Sequence, residues 1–351
     1  MKRPFALSAA CLALAAASAP AKPPPPGSSE AFVAERLAEA GLRVGVDRQT
    51  RKIVQTATAT RRVADIADAG FTKLRDELAM VAVLDAKAKI AHRLHDETTA
   101  REVTARRLGE DDAEVVRRTA ATEAISKRTF LGMTVLCTAE SFRAGVYSVS
   151  AAVGWSPGME ASVREQLSQR RPAAPNGTAE PSPEWKKWAE NQDFAFVFGP
   201  RTFVDSKGVR RYVGIAFADI EDKTGATLLA AHRLARVKAS RNLLFSVFSD
   251  LVAAELVERT LTTRDGLLEG LETDVRNRIV RRCQSKLVLD DEVFTTTAVH
   301  PLSGRRMFVS VAGVEPEKLA EMNLLENGPQ PGFGSDSRSR KTNGKKKKNT
   351  P

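Results

Sequence analysis

The sequence predicts an α+β fold: two tandem repeats of hairpin, long helix, shorter helix, hairpin, with the helices packed on one face of a small antiparallel sheet. Three observations predict it. Two strand–turn–strand segments resemble each other, "GVDRQTRKIVQTATA" from Gly45 to Ala59 and "FVDSKGVRRYVGIAFA" from Phe203 to Ala218. Each is followed by a long segment with helical periodicity. A second pair of strand–turn–strand segments, Val135–Trp155 and Val293–Val314, then closes each half.

Ahead of the first repeat, Lys2 and Arg3 precede an unbroken apolar run from Phe5 to Ala17, then small residues at Ala19 and Ala21. That is the pattern of a secretory signal peptide, residues 1–21. The prolines between Pro20 and Pro26 end the run short of the roughly 20 apolar residues a membrane span requires. Cys11 sits in "LSAAC", which partly resembles a lipoprotein box, but Ser8 takes the place of the usual leucine and the apolar run continues beyond the cysteine. Lipidation is therefore not expected. The chain is expected to be exported, to the periplasm or outer-membrane periphery of a bacterium. Residues 22–40 read as a linker and short helix. Removing the signal leaves Cys137 and Cys283, enough for at most one bridge, which the sequence leaves open.

The first repeat spans residues 41–157. Its hairpin leads from Val46 and Asp47 through a polar turn to Ile53 and Val54. Phe71, Leu74, Leu78, Val81, Ala88, Ala91 and Leu94 then recur at helical steps. "DDAEVVRRTAATEAISKR" supplies the shorter helix, and Tyr147, Val149 and Ala151 alternate as a strand does. Residues 158–184, with prolines at 172, 175, 181 and 183, read as an extended linker. Asn176 to Thr178 form a glycosylation acceptor whose use depends on the host.

The second repeat spans residues 185–325. Trp185 and Trp188 open it and are expected to cover a core edge. Gly208 supplies the positive backbone angle of its first hairpin turn, and Asp205 belongs to that turn rather than to a calcium loop. In the long helix Leu234, Val237, Leu244, Phe248 and Leu251 read as an apolar face. Alanines at 226, 230, 231, 235 and 239 let it lie close to a sheet, while Arg233, Arg236, Lys238 and Arg241 hold their charged ends in water. "LETDVRNRIVRRCQSK" is the counterpart of the first shorter helix. The closing hairpins align Thr138 with Thr297, Ala139 with Ala298 and Ser150 with Ser310, through a loop one residue longer.

Of the formal net charge of +11, Lys2 and Arg3 contribute two and residues 336–351, with seven basic residues and one acid, contribute six, leaving about +3 for residues 22–335. The folded part is nearly balanced. Residues 326–351 are too polar to bury a core and read as a solvated basic tail. Lys345, Lys346, Lys347 and Lys348 are its candidate contact to an anionic polymer or lipid. Aromatic residues, at 6 %, are too sparse for a nucleic-acid stacking platform.

No catalytic, cofactor or metal-binding residues are assigned. His92 and His95 are the one close histidine pair, without a third ligand motif. His232 and His300 read as surface or half-buried residues. No Gly-x-Ser-x-Gly elbow or phosphate loop occurs, and Cys137 lacks a recognisable histidine partner. Asp111 with Asp112, and Asp290 with Asp291, sit where they flank helices or start strands.

The segment "RRYVGIAFADIEDKTGATLLAAHRLARVKASRNLLFSVF" resembles the LPP20-type and FlgT N-terminal family of bacterial envelope domains. Gly214, Ala216, Ala231, Ala235, Arg236, Ala239 and Leu243 carry the resemblance, which extends from Phe203 to Val314 and reaches the first half through the duplication. Thr56 and Thr58 stand there in place of the glycine step. The resemblance implies a non-enzymatic envelope domain that packs helix on sheet and offers its surface to envelope proteins. The residues themselves point the same way, with two alternatives: an envelope enzyme whose site has no recognised motif, and a binder of anionic surfaces through the tail.

Overall fold

A computed structural model describes residues 27–66, 71–107, 132–168, 183–221, 224–262 and 292–315. The elements are α1 (Ser29–Glu39), β1 (Gly45–Asp47), β2 (Lys52–Arg62), α2 (Phe71–Arg107), β3 (Thr134–Arg143), β4 (Val146–Trp155), α3 (Pro157–Ser168), α4 (Pro183–Glu190), β5 (Gly199–Val204), β6 (Arg210–Asp219), α5 (Gly225–Thr262), β7 (Glu292–Val299) and β8 (Arg306–Val314). The fold is α+β. Two antiparallel four-stranded sheets have the orders β1-β2-β4-β3 and β5-β6-β8-β7. No helix among the described residues is long and apolar enough to cross a membrane. The two shorter helices expected between long helix and closing hairpin lie outside the described residues, as do the signal segment and the basic tail.

The expectation that helices cover one face of each sheet is corrected: both faces of both sheets are covered. In β2, neighbouring residues enter different apolar clusters, Ile53 with α2 and Val54 with Phe32, Val33 and Leu37 of α1. Strand alternation sends them to opposite faces, and each face finds a helix. Ser28 starts α1 by accepting the Ala31 amide, and Ser29 fixes it to the sheet through Ser150 Oγ at 2.8 Å.

On the second sheet the alanines do what their size permits. Ala231, Ala235, Ala239 and Leu243 bury one stripe of α5 against Ala216, Ala218 and Gly214 of β6. Leu234 and Val237, expected on the buried face, are instead 50 % and 69 % exposed. The physical reason is interaxial distance. The stripe of small residues lets the helix backbone approach, whereas leucine and valine in the same contact would hold it off. The opposite face of β6, with Val213, Ile215 and Phe217, joins the cluster around α2.

That cluster runs through both halves, from Ile53, Val149 and Val153 of the first sheet past Ala79, Val83 and Ile90 of α2 to Ile215, Val309 and Val311 of the second. The halves therefore share one core. The segment 158–184 is also not extended throughout: α3 occupies Pro157–Ser168. Ser156 Oγ accepts the Met159 amide, Pro157 fits a first helical turn, and Glu160 pairs with Arg164 at 2.8 Å. Gln166 then hydrogen-bonds both the carbonyl and the amide of Arg210.

Short edge strands leave carbonyls of the next strand unpaired, and the long helices satisfy them. β1 pairs with β2 only from Lys52 to Val54, and Lys89 Nζ of α2 donates to the Thr56 carbonyl at 2.8 Å. β5 reaches along β6 only to Ile215; Asn242 and Lys238 of α5 donate to the Ile215 and Phe217 carbonyls at 2.8 and 3.0 Å. A residue in mid-helix thus does the work of a missing strand.

The closing hairpins differ from the alignment read in the sequence. Each outer strand carries a bulge, between Val135 and Cys137 and between Glu292 and Phe294. Counting from the bulges sets Thr138 level with Thr295 rather than Thr297. The second hairpin closes through residues 300–305, where the first turns tightly at Ala144 and Gly145, both with positive φ.

Candidate functional site

The chemistry-bearing side chains converge where α2 lies between the two sheets, and they are buried. Glu140 of β3 is the centre. Its carboxylate accepts from Arg75 Nε at 3.1 Å and Nη2 at 2.7 Å, from Tyr147 Oη, and from His300 Nε2 at 3.2 Å. His300 Nδ1 accepts the Ser303 amide at 3.1 Å, which leaves the proton on Nε2, pointing at Glu140. Arg75 also donates to the Ala195 carbonyl and lies over the rings of Phe198 and Phe217. One carboxylate thereby fastens α2, the first sheet and the loop after β7. Burial alone would raise its pKa, but Arg75, His300 and Tyr147 outweigh that and bring Glu140 down to about 2. It is a fixed anion.

A second ion pair joins the long helices: Lys87 of α2 donates to Asp250 and to Ser249 of α5, and Asp250 Oδ2 accepts the Met133 amide at 3.0 Å. A third group ties the first hairpin of the second half. Asp205 accepts the Lys207 and Val209 amides and pairs with Arg211, which also reaches Glu315; Glu315 accepts the indole N–H of Trp185. Asp205 with Gly208 at φ 78° is the turn that the sequence indicates. Asp47 does the same in the first half, accepting the Gln49 amide at 2.9 Å.

Asp76, one residue from Arg75, is different. It is fully buried, and neither of its oxygens, nor Oδ1 of nearby Asn242, has a hydrogen-bond donor. Lys238 Nζ stands 3.9 Å away. Burial raises the Asp76 pKa to about 6, against the partial opposition of Lys238 and Arg75. Because the folded value lies above the ordinary 3.8, the native state holds this proton more tightly than the unfolded chain. Stability from this group is full below about pH 4 and is lost as pH rises through about 6, by roughly 3 kcal/mol for a two-unit shift. Urea denaturation of wild type and Asp76→Asn between pH 4 and 8 is expected to show that decline in the difference between them. Parallel pH profiles would show that Asp76 titrates elsewhere.

His300, expected at the surface or half-buried, is 1 % exposed. The loop 300–305, longer than its counterpart in the first half, carries it inward. His92 is exposed on α2, and the side chain of His95 lies outside the described residues. Among the described residues no group of three metal-ligating side chains occurs. Cys137 lies on β3, its thiol pushed up to about 11 by burial; Cys283, and with it any bridge, falls outside the described residues, as do Asp111, Asp112, Asp290, Asp291 and Lys345–Lys348. Trp185 is sealed against Gly313, and Trp188 stacks on Phe203 at 4.9 Å. Glu140, Arg75 and Lys87 escaped the sequence reading, although each interrupts an apolar face: Arg75 precedes Ala79, Ala82, Ala86 and Ile90 at helical steps.

No family model and no curated protein matches the chain. A crystal structure of the hypothetical protein FTT1539c from Francisella tularensis is similar, with a TM-score of 0.54 and 12 % identity, covering 90 % of this chain and all of the other. The likeness is one of fold.

Proposed function

We propose that this is an exported, non-enzymatic structural or interaction protein of the bacterial cell envelope, built from two tandem copies of a hairpin–helix–hairpin module. The observation that carries the reading is the use made of the interior charges. Glu140, Arg75, Lys87, Asp250, Asp205 and Arg211 bind one another across element boundaries, so that polar chemistry holds sheets and helices together. Duplication is supported by the matching strand orders, by bulges in equivalent outer strands, and by the long helix of each half packing on the face that carries Ala57 and Ala59 or Ala216 and Ala218. Export rests on residues 1–21, and the likeness of residues 203–314 to LPP20-type and FlgT N-terminal domains suggests the envelope. Partners would meet a surface that includes β7, where Val293 to Val299 form an uncharged edge strand with Thr295, Thr297 and Val299 exposed.

The test is fractionation of a bacterial host expressing the full chain. Mature protein in the periplasmic or outer-membrane fraction, with its N-terminus after Ala21, is expected. Retention of the intact N-terminus in the cytoplasm would overturn the reading. Pull-down from the envelope fraction, with and without Lys345–Lys348, then separates the two binding modes. Capture that survives removal of the lysines and moderate salt belongs to the folded surface, whereas capture lost with them belongs to the tail.

A further inference from the structure

Buried charges in folded proteins are paired, because an isolated one loses its hydration and gains nothing in return. Among the described residues the buried cations obey that rule except for two arginines, Arg210 and Arg201, and of these only Arg201 is left with a single acceptor. Arg75 has Glu140, Lys87 has Asp250, Arg211 has Asp205 and Glu315, and Lys238 has Asp76 nearby. Arg210 gives hydrogen bonds to the Gly132 and Met133 carbonyls and to Thr134 Oγ1. Arg201, on β5 and 8 % exposed, has one neutral partner: Nη2 donates to Thr138 Oγ1 at 2.6 Å. Its Nε is sealed from solvent without an acceptor, and among the described residues no carboxylate pairs with it. Burial brings its pKa down to about 10, the sign of a cation in want of a counter-ion.

The surroundings reinforce the imbalance. Arg201 stands where the edge of the second sheet meets β3 of the first, and the guanidiniums of Arg201 and Arg36 both act on the Cys137 thiol. Arg36 has its own acid, Glu39, at 2.8 Å. Because Thr138 Oγ1 accepts from Arg201, its own hydroxyl proton remains available to donate to another acceptor. Nη1 and that hydroxyl then make two neighbouring donors, the arrangement that suits two oxygens of one carboxylate or phosphate.

We infer that Arg201 and Thr138, at the seam between β5 and β3, form a binding site for a small oxyanion. The ligand completes the ion pair that the protein leaves open, so its binding stabilises the fold. This goes beyond the envelope reading and stands independently of it, since the test needs only purified protein.

Thermal unfolding of the full chain is measured in chloride buffer and with phosphate, sulfate or acetate at constant ionic strength, for wild type, Arg201→Gln and Thr138→Val. In chloride, Arg201→Gln is expected to melt no lower than wild type, because it removes an uncompensated buried charge. A saturating oxyanion is expected to raise the wild-type midpoint by a few degrees, to leave Arg201→Gln unmoved and to have a reduced effect on Thr138→Val. A response to acetate alone identifies a carboxylate ligand, and a response to phosphate and sulfate a tetrahedral one. Equal shifts in wild type and Arg201→Gln would reduce the effect to bulk salt and overturn the site. Loss of folding by Arg201→Gln in chloride would overturn it too, because the arginine would then be satisfied within the protein.

Discussion

Replacing Glu140 with alanine is expected to lower the stability of the fold by about 3–5 kcal/mol, the range seen when one partner of a buried ion pair is removed. Three groups lose their acceptor together. Arg75, fully buried, would keep its charge with only the Ala195 carbonyl to receive it, and its Nη1 already has no partner. Tyr147 and His300, at 0 % and 1 % exposure, would each retain a donor facing a void. Glu140→Gln keeps the shape and one acceptor oxygen, so its loss should be smaller. Removing the pair as Arg75→Met with Glu140→Leu should recover much of the stability, since an apolar pair leaves nothing unsatisfied. Urea denaturation of the four proteins measures this, and a double variant no better than Glu140→Ala would show that the charges do not act on each other. The same residue sets an acid limit. Its folded pKa, about 2, lies below the ordinary 4.5, so its contribution is complete above pH 4.5 and disappears as pH falls through 2. Glu140 and Asp76 thus act in opposite directions, in pH windows that overlap only between 3.8 and 4.5, and the stability maximum set by these two groups should fall near pH 4.

The strands and long helices were legible because each obeys a period. Ile53 alternates with Val54, and Phe71, Leu78, Ala91 and Leu94 recur at helical steps and are all buried. What the period could not convey was which buried face meets which element. Leu234 and Val237 satisfy the apolar template as well as Ala235 and Ala239 do, yet the sheet took the alanines. A sequence reading weights size as hydrophobicity, whereas close packing of helix on sheet rewards the absence of size. The ionic seam was hidden for another reason. Arg75, Glu140 and His300 are widely separated along the chain and become neighbours only when the two sheets close on α2, which no local pattern records. The turns at Asp47 and Asp205 were legible because their chemistry is complete within five residues.

Gly214→Ala is the second substitution expected to have a large effect, at least about 3 kcal/mol, at or beyond the upper end of ordinary overpacking. A Cβ built at Gly214 would lie 2.1 Å from the Ala239 carbonyl oxygen and 2.2 Å from the Leu243 amide nitrogen. Both obstacles are helix backbone. A clashing side chain can rotate away, but here α5 as a whole must lift from β6, opening the contacts of Ala235, Ala239 and Leu243 with the sheet. Lifting it would also draw Asn242 and Lys238 from the Ile215 and Phe217 carbonyls, so that one methyl group would disturb packing and edge pairing at once. Gly158 and Gly225 are the controls, because nothing lies within 4 Å of a Cβ at either. Alanine there should change stability by no more than about 0.5–1 kcal/mol. The denaturation midpoints of the three variants therefore measure how closely the helix backbone rests on the strand. A harmless alanine at 214 would mean that α5 stands off the sheet by a side chain's depth. The burial of Ala231, Ala235 and Ala239 would then need another cause than close approach.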